Sequence, residues 1–137
     1  MEETIKIYKD INGNVMALLI RAEHSEQGIN FLTKDGDYQQ VAYMGHMKGY
    51  KILPHYHNKI SRKVDYTCET LIIRKGIIEV NLYDHLKISC TFIMRVGDII
   101  TLFSGGHGFN VIEDVEMVEI KQGPFLGPQD KTRFLST

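Results

Sequence analysis

Polarity alternates with a period of two along much of this chain, and that period constrains the fold more than any other feature of the sequence. From Ile77 to Tyr83, Ile78, Val80 and Leu82 fall on one side, while Glu79, Asn81 and Tyr83 fall on the other. Ile88, Cys90, Phe92 and Met94 share a side, with Ser89 and Thr91 opposite. A half-buried β-strand requires this spacing, because successive side chains point to opposite faces. Further strand-like runs cover Thr4 to Lys9, Val15 to Arg21, Gly28 to Thr33, Tyr38 to Gly45, Tyr50 to His57, Tyr66 to Arg74, the run from Gly97 to Phe103, and Val115 to Lys121. Turn signals separate them: Asn12-Gly13, Lys34 to Asp37, Lys75-Gly76, Asp84 to Lys87 and Ser104 to Gly106. No segment carries a long amphipathic helical pattern. Roughly ten short strands at this spacing predict an all-β sandwich or barrel. The tail from Gly123 onward, with its two Gly-Pro pairs, reads as irregular.

The chain has 137 residues and no linker or repeat, which predicts one domain over residues 1–137. A net charge of −1 gives no electrostatic footprint for nucleic acid. Neither a signal peptide nor a long apolar run is visible, so no membrane partner and a cytoplasmic location are expected. Cys68 and Cys90 form no CxxC pair and lie in apolar runs, where buried free thiols are expected.

The chemistry-bearing residues are His55, His57, Glu69 and His107. In an extended strand, His55 and His57 share a face, so both imidazoles can converge on one ion. Glu69 shares parity with Leu71 and Ile73 and is expected to face inward. His107 follows Gly105-Gly106, which lets the backbone turn tightly and aim the ring into a cavity. Imidazole and carboxylate donors suit iron, manganese, nickel, cobalt, zinc or copper.

The order of these residues resembles the motifs of the cupin superfamily. Gly49, then His55-Tyr56-His57, Glu69 and Gly76 resembles the first motif. The run Gly97-Asp98-Ile99-Ile100-Thr101-Leu102-Phe103-Ser104-Gly105-Gly106-His107-Gly108-Phe109-Asn110 resembles the second. The gap between His57 and Glu69 is longer than is usual in that family, and Phe103 stands where proline is usual. Ser104 to Phe109, Val118 to Phe125 and Asp130 to Phe134 resemble a subgroup of small cupins of surface-polysaccharide and nucleotide-sugar pathways. The resemblance implies a cupin-type jelly-roll β-barrel of two antiparallel sheets. It also implies one divalent transition metal held by His55, His57, Glu69 and His107, and a homodimer.

Several functions are compatible with such a site. One is isomerase- or epimerase-like Lewis-acid chemistry on a sugar or nucleotide sugar, with Glu69 as catalytic base if it is not a ligand. An iron-dependent oxygenase, a non-catalytic ligand-binding or sensing module, and a metal-free sugar-modifying enzyme using His and Tyr are the alternatives. Lys59, Arg62 and Lys63 lie in the long gap and are candidates to hold a carboxylate or phosphate of the substrate, as against a solvated turn. Phe109 shares parity with His107 and is a candidate cavity wall, as against a core residue. His24, His46 and His85 lack partners at ligand spacing.

Overall fold

The computed structural model describes residues 3–135; residues 1–2 and the last two of the tail, 136–137, lie outside it. It is all-β and antiparallel, and among the described residues no helix is long and apolar enough to cross a membrane. The chain divides into two compact units, the first built from residues 1–24 and 66–137, the second from residues 25–65.

The first unit is a curled antiparallel sheet. Its strands are β1 (Ile5–Lys9), β2 (Val15–Ile20), β5 (Glu69–Asp84), β6 (Lys87–Met94), β7 (Ile99–Leu102) and β8 (Gly106–Lys121), and β3 and β4 belong to the second unit. β5 is the axis. One edge pairs with β8 over its whole length, from Glu69↔Lys121 to Tyr83↔Gly106. The other edge pairs first with β7 (Leu71↔Ile100) and then with β6 (Val80↔Phe92). β2 lies outside β7, and β1 outside β2. The two runs Tyr66 to Arg74 and Ile77 to Tyr83 are thus one strand, and Lys75-Gly76 is a bulge within it rather than a turn between two. Likewise Val115 to Lys121 is the end of one long strand that already contains His107.

Register shifts cluster between Ile73 and Ile78 on β5, opposite Glu113 to Glu116 on β8. Gly76 sits at their centre with φ of 85°, and a Cβ there would run into the backbone carbonyl of Asp114. Only glycine fits such a position without strain. The extra residues bend the ribbon at this point. β5 turns into β6 through His85-Leu86, both at positive φ, as a two-residue hairpin requires.

Directly paired residues share a face, so the register defines the core. Leu19, Ile100 and Leu71 line up across three strands, as do Met94 and Ile78, and Leu82 with Cys90. With Met16, Ala17, Ile73, Val80 and Leu102 they form one buried cluster. Each such side chain contributes about 1.5–3 kcal/mol on burial. Cys68 is buried and in no disulfide, as expected; Cys90 is half-buried, and burial pushes its thiol pKa up.

The turn joining β6 to β7 is held by a buried ion pair. Arg21 Nη1 donates to Asp98 Oδ2 at 3.0 Å and to the Ile93 carbonyl at 2.6 Å. Asp98, only 3% exposed, also accepts from the backbone N–H groups of Ala22 and Arg95, both at 2.9 Å. One carboxylate thereby ties the end of β2 to both ends of the turn.

The second unit holds the hairpin of β3 (Gly28–Phe31) and β4 (Ala42–Gly45). Its loop is organised by Lys34 N–H donating to Asp37 Oδ2 (2.8 Å) and Gln40 Nε2 donating to the Lys34 carbonyl (2.9 Å). Residues 46–65 form no strand, and residues 51–65 are exposed throughout.

Replacing Asp98 by alanine leaves a buried guanidinium without its carboxylate and frees two backbone donors. The expected loss is about 3–5 kcal/mol of unfolding free energy. A urea midpoint within error of the parent protein's would remove Asp98 from this role.

Candidate functional site

Glu69 opens β5 and pairs with Lys121 and Leu102; His107 lies near the start of β8 and pairs with Leu82. Leu82 lies thirteen steps along the strand from Glu69, roughly 43 Å if the strand were straight. Yet His107 Nε2 lies 2.6 Å from Glu69 Oε1. The bend at Gly76 returns the two ends of the ribbon to each other, and both side chains project from the face that carries the core. The carboxyl is 17% and the imidazole 32% exposed, so the pair sits at the rim of the core and not in bulk water.

The hydrogen bond from His107 is the main cause that holds the Glu69 carboxyl well below its usual range, at about 2 instead of 4.5. Partial burial opposes it, and a hydrogen bond with Glu119 and the charges of His107 and Lys121 assist it. Glu119 in turn is bridged by Lys121 Nζ at 3.1 Å. His107 Nδ1 makes no hydrogen bond to any of the described residues. The Nε2–H of the imidazole is committed to a carboxylate, and in the neutral form of the ring the other nitrogen is an acceptor.

The pair lines a cavity of about 980 Å³ formed wholly by the first unit. Phe109 lines it and also packs against the core, with its ring centroid 5.7 Å from that of His107. Tyr83 and Phe134 add a second aromatic wall, edge to face at 5.1 Å. Gly106 lets Phe134 approach: a Cβ there would lie 2.8 Å from Phe134 Cζ and 3.2 Å from Tyr83 Cβ. Lys131 and Arg133 line the same space. Their segment reads in the sequence as an irregular tail, and nothing in its local pattern marks it as a wall.

His55 and His57 belong to the second unit, in its exposed irregular stretch. No strand forms there, so the shared-face argument does not apply to them. Their rings are nevertheless neighbours, with centroids 5.5 Å apart, and His55 Nδ1 is within 2.9 Å of the Leu53 carbonyl oxygen. Lys59, Arg62 and Lys63 lie in the same exposed stretch, with Lys63 3.8 Å from Asp65. Among the described residues no three His, Cys, Asp or Glu side chains gather as a metal-binding group. The remaining histidines have local engagements: His24 with Thr4, His46 stacked on Tyr50, and His85 beside Asp84.

Comparison with known proteins finds no matching family model, curated protein or solved structure.

Because the folded-state pKa of Glu69 is depressed, the stability it contributes is fully present above about pH 4.5 and is lost as pH falls through about 2. In chelator-treated protein, Glu69→Gln is expected to cost about 1.5–3 kcal/mol at pH 7, the range of a charge-assisted hydrogen bond. The difference between parent and variant should shrink steadily below pH 4.5. Denaturation series at pH 7 and pH 3 with an unchanged gap would contradict the ionised pair.

Proposed function

We propose that this chain binds a small oxygen-rich molecule, of the sugar or nucleotide-sugar class, in the cavity beside His107 and moves a proton on it. The reading rests on one observation: His107 is fixed to Glu69 through Nε2 while Nδ1 stays available at the cavity wall. A carboxylate with a pKa near 2 has little affinity for a proton at neutral pH, so Glu69 acts as the positioning residue and not as the base. It holds the tautomer with Nδ1 as acceptor and stabilises the imidazolium formed when Nδ1 takes a proton. His107 is the general base and, on returning the proton, the general acid. A proton on carbon next to a carbonyl is the natural target, and its removal and return is an isomerisation or epimerisation. The aromatic walls exclude water from one side of the ligand. The curled antiparallel sheet is consistent with half of a cupin-type jelly roll, which we take as the parent architecture.

The test is solvent-isotope exchange. Aldoses, ketoses and nucleotide sugars incubated with the protein in deuterated water are followed by proton NMR. Incorporation is expected with at least one of them, falling by roughly 10²–10⁴-fold in His107→Gln. If the parent protein exchanges none of the panel, the proton-transfer reading fails.

A second reading is supported by the donor chemistry and by the motif resemblance. Glu69 Oε1 and His107 Nε2 converge as an oxygen and a nitrogen donor, a set that suits a divalent transition metal in place of the shared proton. His55 and His57, in the second unit, are the other two ligands that the motif resemblance implies. Such an ion would supply Lewis-acid polarisation of a ligand oxygen. Elemental analysis of protein purified without added metal should then find stoichiometric iron, manganese, nickel, cobalt, zinc or copper. The His55→Ala, His57→Ala double variant should lose most of it. Metal-free parent protein after reconstitution would exclude this reading and leave the first intact.

A further inference from the structure

We propose that the C-terminal segment Lys131 to Phe134 is the anion-binding wall of the cavity, with Arg133 and Lys131 gripping a phosphate or carboxylate group of the ligand. This rests on the reading above only for the identity of the cavity.

The segment is held at both ends. At its start, Asp130 closes the short 3₁₀ turn Gly127–Asp130 and accepts a hydrogen bond from Thr67 Oγ1 at 2.8 Å. At its end, Phe134 packs edge-on to Tyr83 in the space left by Gly106. Between these anchors Lys131, Thr132 and Arg133 all line the cavity. The carboxylates facing the same space are already engaged: Glu69 with His107, and Glu119 with Lys121. Neither Lys131 nor Arg133 forms an ion pair among the described residues. Lys131 and Arg133 therefore line the cavity without an acid of their own, while Glu69 is hydrogen-bonded to His107 and Glu119 is paired with Lys121.

The side-chain types fit this task. The planar fork of arginine matches two oxygens of a phosphate or carboxylate at once, lysine adds a point charge, and a threonine hydroxyl can donate beside them. Anchoring the backbone at Asp130 and Phe134 lowers the entropy lost when the two cations close on a ligand.

Isothermal titration calorimetry with inorganic pyrophosphate and, separately, citrate tests the proposal and distinguishes the two anion classes. Parent protein should bind at least one of them, more weakly as salt is added. The Lys131→Gln, Arg133→Gln double variant should lose roughly tenfold or more in affinity. Arg133→Gln alone should lose part of this, and Arg133→Lys should retain more of it than Arg133→Gln. Phe134→Ala keeps both charges but frees the segment, and should also weaken binding. Calorimetry reads anion binding and proton NMR reads isotope exchange, so parent protein that binds an anion but exchanges no proton fails only the earlier reading, and one that exchanges but binds neither anion fails only this one. Equal affinity in parent and double variant, or no binding of either anion by the parent, would overturn the proposal.

Discussion

The bend in the β5–β8 ribbon is the constraint on which the first unit depends. A straight sixteen-residue pair would place Glu69 and His107 at opposite ends of the molecule and leave one apolar face open to water. The register shifts between Ile73 and Ile78, relieved by a glycine with no Cβ to strike Asp114, fold the ribbon onto itself. The same bend encloses Leu71, Ile73, Ile78, Val80 and Leu82 as a core and delivers an acid and an imidazole to one point. Fold and site therefore share a single origin in backbone geometry.

The buried Arg21–Asp98 pair performs a related task on the other edge of β5. There β6 and β7 run along one line, interrupted by the turn at residues 95–98. That interruption exposes backbone donors that the ladder cannot satisfy, and Asp98 accepts two hydrogen bonds from such groups while neutralising Arg21. A buried pair of this kind contributes less by its own attraction than by what its loss would leave unpaired. It fixes where β2 meets β7, and hence where β1 can add to the sheet.

Much of this was legible in the sequence. Alternation located β6 and the second half of β5, apolar and β-branched runs located β1, β2 and β7, and parity with Leu71 and Ile73 gave Glu69 an inward direction. Two errors have one cause: Gly76 and the acidic run at Glu113 to Glu116 look like punctuation between strands, but they are the two sides of one bulge, and a bulge uses the same residues as a turn. For His55 and His57 the parity argument presumed a strand, and chain geometry there is irregular. Lys131 and Arg133 were invisible because charge in an irregular tail has no periodicity; only the packing of Phe134 against Gly106 reveals where that tail goes.

The acidic residues at the bulge have another consequence. Among the described residues β8 pairs only with β5, so its outer edge presents a row of backbone groups outside any ladder beside exposed Val111, Ile112, Val118 and Ile120. A long apolar edge of this kind is a template for aggregation, since another strand can dock on it by main-chain hydrogen bonds alone. Glu113, Asp114 and Glu116 stand exposed at the middle of that edge, where a second copy laid antiparallel would bring its own acids against them. The repulsion guards the sheet against growing by accretion, at the very place where its curvature leaves the backbone least regular.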